Sequence, residues 1–168
     1  MYCASFSKTL TPGYRVGWCV PGRYRNEIMA QMFSRNLSVS SIAQAVLAEF
    51  LGRKYLKPHI ESLQKRFAEN SRFLHDLVQN AFPASTRHHP PPGGFIHWLE
   101  LPDHIDMNRL LNDALQQGCQ ISHNGIFFPD GKSTQAIRIC FGRALTPDVI
   151  QALHALARCA RNQPTPCP

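Results

Sequence analysis

Apolar positions along this chain alternate between two spacings, and the changes of spacing mark out its elements. Residues 2–6 and 14–20 are short runs rich in aromatic and β-branched side chains and read as two strands around a lysine-bearing loop. Pro21-Gly22 ends the second run. From about Arg23 to Ser34 the spacing turns helical, with Ile28, Met29, Met32 and Phe33 on one face. Ser40-Ser41 then caps a second helix, in which Ile42, Val46, Leu47 and Phe50 recur up to Gly52. Beyond Pro58 the pattern predicts the longest helix, with the apolar stripe Ile60, Leu63, Phe67, Phe73, Leu74, Leu77 and Val78.

His88-His89-Pro90-Pro91-Pro92-Gly93-Gly94 breaks the pattern. Phe95 to Leu101 alternates as a strand that Pro102 ends, and Met107 to Gln117 reads as a helix closed by Gly118. Strands are expected at Cys119 to Ser122 and Ala136 to Phe141, around a turn-rich stretch at Pro129-Asp130-Gly131. Thr146-Pro147 opens a last helix, with Thr146 as N-cap and Val149, Ile150, Leu153, Leu156 and Ala157 as its stripe. Residues after Asn162 are expected to fray, and no internal repeat is visible.

Composition narrows the classes. With 168 residues, 43% of them hydrophobic and 17% charged, the chain can bury a sizeable core. No apolar run approaches the roughly 20 residues of a membrane span, and Met1 leads into the lysine-bearing loop with no signal peptide. The six cysteines include no Cys-x-x-Cys pair, so a structural disulfide framework or zinc site is not expected and a cytoplasmic setting is. The net charge of +7 is spread along helices with no aromatic-interleaved basic stripe or helix-turn-helix pattern, which argues against DNA binding by this chain itself. The alternative is that an acidic partner segment, N-terminal to these residues, balances that charge.

The candidate chemistry lies at the start. Ser5-Phe6-Ser7-Lys8 is followed by Pro12-Gly13 and by Arg15-Val16-Gly17. A lysine amine can condense with an aldehyde, while hydroxyls and a guanidinium fork can grip a phosphate. The set suits a phosphorylated carbonyl cofactor. It resembles the lysine segment of fold-type I pyridoxal-phosphate (PLP) enzymes, especially the aminotransferase-like domains of MocR-type GntR regulators and the 2-aminoadipate and kynurenine aminotransferases. The resemblance extends over nearly the whole chain, including Gly93-Gly94-Phe95 entering a strand and Ala136-Ile-Arg-Ile-Cys-Phe141 before the last helix.

What the resemblance implies is an α/β chain made of the end of the PLP-binding large domain, residues 1–58, followed by the connecting helix and small α+β C-terminal domain, residues 59–168. In that family the lysine lies well past the middle of the domain, so the chain reads as the C-terminal part of a larger protein. Lys8 would hold PLP as an internal aldimine and act as the catalytic base, with Ser5, Ser7 and Arg15 on the phosphate. Arg138, a charge inside the apolar run Ile137-Arg138-Ile139, corresponds to the arginine that grips the substrate α-carboxylate, with Arg143 a less favoured candidate. His88, His89, His97 and His123 match no metal-ligand spacing and are expected in loops or the core, with no metal.

The family's acid on the pyridine nitrogen, its ring-stacking aromatic, its glycine-rich phosphate loop and its partner for the ring oxygen all precede the lysine, hence lie outside these residues. The chain alone is therefore expected to be inactive. The implied parent is the effector-sensing domain of a MocR-type regulator, cytoplasmic and homodimeric, taking an amino acid as ligand and reaching DNA only through an N-terminal domain. A free-standing aminotransferase and a structural remnant without cofactor are the alternatives.

Overall fold

A computed structural model describes residues 1–36, 38–123 and 135–164. The chain divides into two compact units, Met1–Ser62 and Leu63–Pro168. Strands β1 (Tyr2–Ser5) and β2 (Gly17–Val20) form an antiparallel hairpin in the first unit, with Cys3 opposite Cys19 and Ser5 opposite Gly17. A Cβ on Gly17 would lie 2.6 Å from the Ala4 carbonyl oxygen, so only glycine lets the strands approach this closely.

A 3-10 turn at Gly22–Tyr24 follows, and helix α1 runs from Arg25 to Asn36. The helix starts later than its apolar pattern suggests because the Tyr24 amide bonds back to the Pro21 carbonyl and tightens this turn. Helix α2 (Ser41–Gly52) has the expected cap: Ser40 Oγ accepts from the Ala43 amide at 3.3 Å. Ala43 and Leu47 are buried, while Met29, Met32, Phe33, Ile42 and Val46 are exposed.

Helix α3 spans Leu56–Ala81, beginning two residues before Pro58. A first-turn proline costs nothing there, because its missing N–H would have no partner within the helix. In the second unit the strands β3 (Arg87–His88), β4 (Ile96–Glu100), β5 (Ser122–His123) and β6 (Ala136–Cys140) form an antiparallel sheet in the order β3-β4-β6-β5. Helices α4 (Met107–Gln116) and α5 (Pro147–Arg161) complete this unit among the described residues.

Strand β3 falls in the stretch that reads as a break; two residues show no periodicity, and its place is set by pairing with Glu100 and Leu99. Strand β5 starts after Cys119 because the Cys119 amide closes the end of α4 on the Ala114 carbonyl, at 2.8 Å. Gln163, the first residue beyond Asn162, departs from the expected fraying, while residues 165–168 lie outside the described residues. Gln163 is buried, and its side chain bonds both the amide and the carbonyl of Asp106. The turn expected at Pro129-Asp130-Gly131 lies outside the described residues.

Leu74, Leu77, Val78 and Phe82 pack with Leu99, Leu110, Ile137, Phe141 and Leu156 as the core of the second unit. Each such side chain, fully buried, contributes about 1.5–3 kcal/mol. Asn70 lies among them, its amide nitrogen donating to the Phe141 and Arg143 carbonyls at 2.8 Å each. His97 is fully buried, sharing a 2.8 Å hydrogen bond with Ser71, stacked on His88 and edge-on to Phe141. Among the described residues no helix is long and apolar enough to cross a membrane, and no group of three or more His, Cys, Asp or Glu could hold a metal.

Burial, then the neighbouring His88 and His75, push His97 down to about 4. The folded state disfavours its charged form. Its contribution to stability is therefore complete above the ordinary value of 6.5 and is lost as pH falls towards about 4. Urea midpoints measured across that window should fall more steeply for the native chain than for His97→Phe. Identical slopes would contradict the burial of a neutral imidazole.

Candidate functional site

The lysine turn is built almost entirely by local chemistry. The Phe6 carbonyl accepts from the Leu10 and Thr11 amides at 2.9 and 3.1 Å, closing one helical turn with exposed Lys8 on it. Ser5 Oγ accepts from the Ser7 amide at 3.0 Å and donates to the Val16 carbonyl at 3.4 Å. Its hydroxyl thus fixes the entry to the turn, as serine side chains do where they replace a backbone partner. His59, at the start of α3, donates from Nε2 to the Thr9 carbonyl at 2.9 Å. The rings of Phe6 and exposed Trp18 lie with centroids 4.9 Å apart.

Arg15 has φ of +53°, a left-handed backbone that a non-glycine residue seldom adopts. That conformation carries the guanidinium back across the loop. Arg15 Nη1 donates to Ser7 Oγ at 3.2 Å and to the Pro12 carbonyl at 3.5 Å. A conformation of this kind costs of order 1–3 kcal/mol and persists only where its surroundings hold it. A hydroxyl and a guanidinium, both groups able to donate, thus sit together on the loop that bears Lys8. Ser5, Ser7, Lys8 and Arg15 therefore belong to one hairpin, with Ser7 and Arg15 in direct contact.

Arg138 lies on β6, opposite Trp98 on one side and Ser122 on the other. Ile137 and Ile139 are buried while Arg138 and Cys140 are exposed, as strand alternation requires. Its charge is thus carried on the open face of an interior strand of the sheet. Arg143, the competing arginine, is also exposed, and its backbone carbonyl accepts from Asn70.

Two features of the second unit were missed by reading the chain linearly. A cleft of about 500 Å³ lies between α3 and the Pro91–Gly94 segment, with Phe67, Ser71 and Phe141 in its wall. Beside it His75 Nδ1 is 3.3 Å from His88 Nε2, continuing the stack that ends at His97. The chain separation of these three histidines hides the cluster. The only sequence signal is the helical spacing of Ser71 and His75 on one side of α3.

Hairpin, capped helices and small antiparallel sheet make up an α/β chain whose solved structural neighbours are aminotransferases of the fold-type I architecture. Residues 1–156 match the class I and II aminotransferase family model, and the chain belongs to that family. It is 29% identical over 153 residues to the HTH-type transcriptional regulator YjiR of Escherichia coli, covering 91% of this chain and 33% of the regulator. Kynurenine aminotransferase of Pyrococcus horikoshii, solved with PMP and kynurenine, superposes with a TM-score of 0.82 at 25% identity, over 95% of this chain and 40% of the enzyme. LysN, the α-aminoadipate aminotransferase of Thermus thermophilus, superposes with a TM-score of 0.85 at 22% identity, over 96% of this chain and 42% of the enzyme. The chain spans about a third of the length of the curated regulators it matches.

Proposed function

We propose that these residues are the C-terminal portion of a PLP-dependent aminotransferase-like protein, the effector-sensing domain of a MocR-type regulator. The observation that carries the cofactor reading is the hairpin itself: a serine hydroxyl and an arginine guanidinium in contact, the arginine on a left-handed backbone, on the same loop as Lys8. The donor set fits a phosphorylated aldehyde. Ser7 and Arg15 would hold the phosphate, Ser5 would hold the turn that presents them, and Lys8 would hold the carbonyl end. When bound, PLP supplies an electron sink for the α-carbon of an amino acid. Lys8 Nζ, once free, is the group that moves the α-proton. Arg138 is assigned to the amino-acid carboxylate, which suits a planar guanidinium fork.

Similarity to the regulators YjiR and YdcR favours sensing over turnover. The likeness to kynurenine aminotransferase favours the second reading, a free-standing transaminase. In either case we assign residues 1–58 to the end of the large domain and 59–168 to the connecting helix and small domain. The parent is read as a cytoplasmic homodimer whose DNA contact comes from a domain N-terminal to these residues. A cofactor-free remnant is the remaining possibility, and titration separates it. The purified chain, loaded with PLP or with pyridoxal and passed over a desalting column, should retain PLP and lose pyridoxal. Equal retention of the two would remove the phosphate grip and with it the proposed site.

A further inference from the structure

The hairpin that presents Lys8 carries a second pair of reactive groups. Cys3 on β1 faces Cys19 on β2, with Cys3 exposed and Cys19 half-buried. The kind of pair they form follows from the ladder. The Phe6 amide donates to the Val16 carbonyl at 3.0 Å, so Phe6 and Val16, one step beyond Ser5 and Gly17, are a hydrogen-bonded pair. Antiparallel pairs alternate, which makes Ser5–Gly17 non-bonded, Ala4–Trp18 bonded and Cys3–Cys19 non-bonded. In a non-bonded pair the Cα atoms stand about 4.5 Å apart with side chains on the same face. A disulfide spans Cα separations of about 4.4–6.8 Å. The thiols already sense each other: interaction with Cys3, followed by burial, pushes the Cys19 thiol above its ordinary value.

We propose that Cys3 and Cys19 are a reversible dithiol–disulfide site, oxidised by a low-molecular-weight disulfide such as oxidised glutathione, that staples the hairpin bearing the lysine turn. Exposed Cys3 is the point of entry. Its thiolate attacks one sulfur of oxidised glutathione, forming a mixed disulfide and releasing one glutathione thiol. Cys19, held protonated until then, gives up its proton and attacks the Cys3 sulfur. The Cys3–Cys19 bond forms and the second glutathione leaves. The protein loses two electrons and two protons, and one glutathione disulfide becomes two thiols. A bond at this step of the ladder joins β1 to β2 two positions before Ser5, so it fixes the strand register on which Ser7 and Arg15 meet. In a reducing compartment such a bond is transient and serves sensing. The site is independent of whether the hairpin binds PLP.

The full 168-residue chain should be equilibrated in glutathione buffers of increasing oxidised fraction, quenched with acid, alkylated and peptide-mapped. The expected product has lost two hydrogens, links Cys3 to Cys19, and leaves the other four cysteines, Cys119, Cys140, Cys159 and Cys167, alkylated. Cys19→Ser should stop at a glutathione adduct on Cys3, and Cys3→Ser should lose the cross-link. A wild-type chain that accumulates glutathione on Cys3 without the cross-link would overturn the proposal. So would prior linkage of Cys119 to Cys159, where burial and then the Cys159 thiol push the Cys119 thiol up.

Discussion

Replacing Lys8 with alanine is expected to abolish the long-wavelength absorbance of PLP-loaded chain while leaving the fold unchanged. The loss should be large, because no other side chain of the hairpin supplies an amine: Ser5 and Ser7 offer hydroxyls and Arg15 a guanidinium. The fold should tolerate the change because Lys8 is exposed on a turn closed by backbone bonds from the Leu10 and Thr11 amides to the Phe6 carbonyl. Urea midpoints should agree within the equivalent of about 0.5 kcal/mol, as for most exposed positions. A band that survives in Lys8→Ala with native intensity would place the cofactor elsewhere.

The largest effect on stability is expected at Asn70. Its single amide nitrogen serves two carbonyls, those of Phe141 and Arg143, where β6 leaves the sheet. Asn70→Ala would leave the buried Phe141 carbonyl and the part-buried Arg143 carbonyl without this donor. At about 1–3 kcal/mol for each buried group left without a partner, the cost should be about 3 kcal/mol. Denaturation followed by Trp98 fluorescence in a Trp18→Phe background reports on this unit alone. A shift below about 0.5 kcal/mol would mean that water replaces the amide and that the bond is not a structural tie.

How much of this was legible in the sequence depends on how local each feature is. Ser40 and Thr146-Pro147 gave their helices away because a cap is a contact within one turn. Ser5, Ser7, Lys8 and Arg15 could be gathered from sequence for the same reason, since one hairpin brings them together. Two-residue strands carry no period of their own, so β3 and β5 exist only through their partners. Asn70 sits on the apolar face of α3, three residues after Phe67 and four before Leu74, where a polar side chain signals a buried bond whose acceptors lie 71 and 73 positions away. Gln163 was hidden likewise, its two bonds reaching back 57 positions. Arg138 was visible as a charge in an apolar run, and alternation along β6 explains how the strand carries it.

The distribution of label after borohydride reduction of the PLP-loaded chain tests the central claim most directly, since reduction fixes the cofactor to whichever lysine holds it. Peptide mapping is predicted to find one dominant labelled peptide, the one containing Lys8. Label spread to the same extent over Lys54, Lys57, Lys65 and Lys132 would contradict the site, and with it the assignment of this hairpin as the place where the cofactor is held.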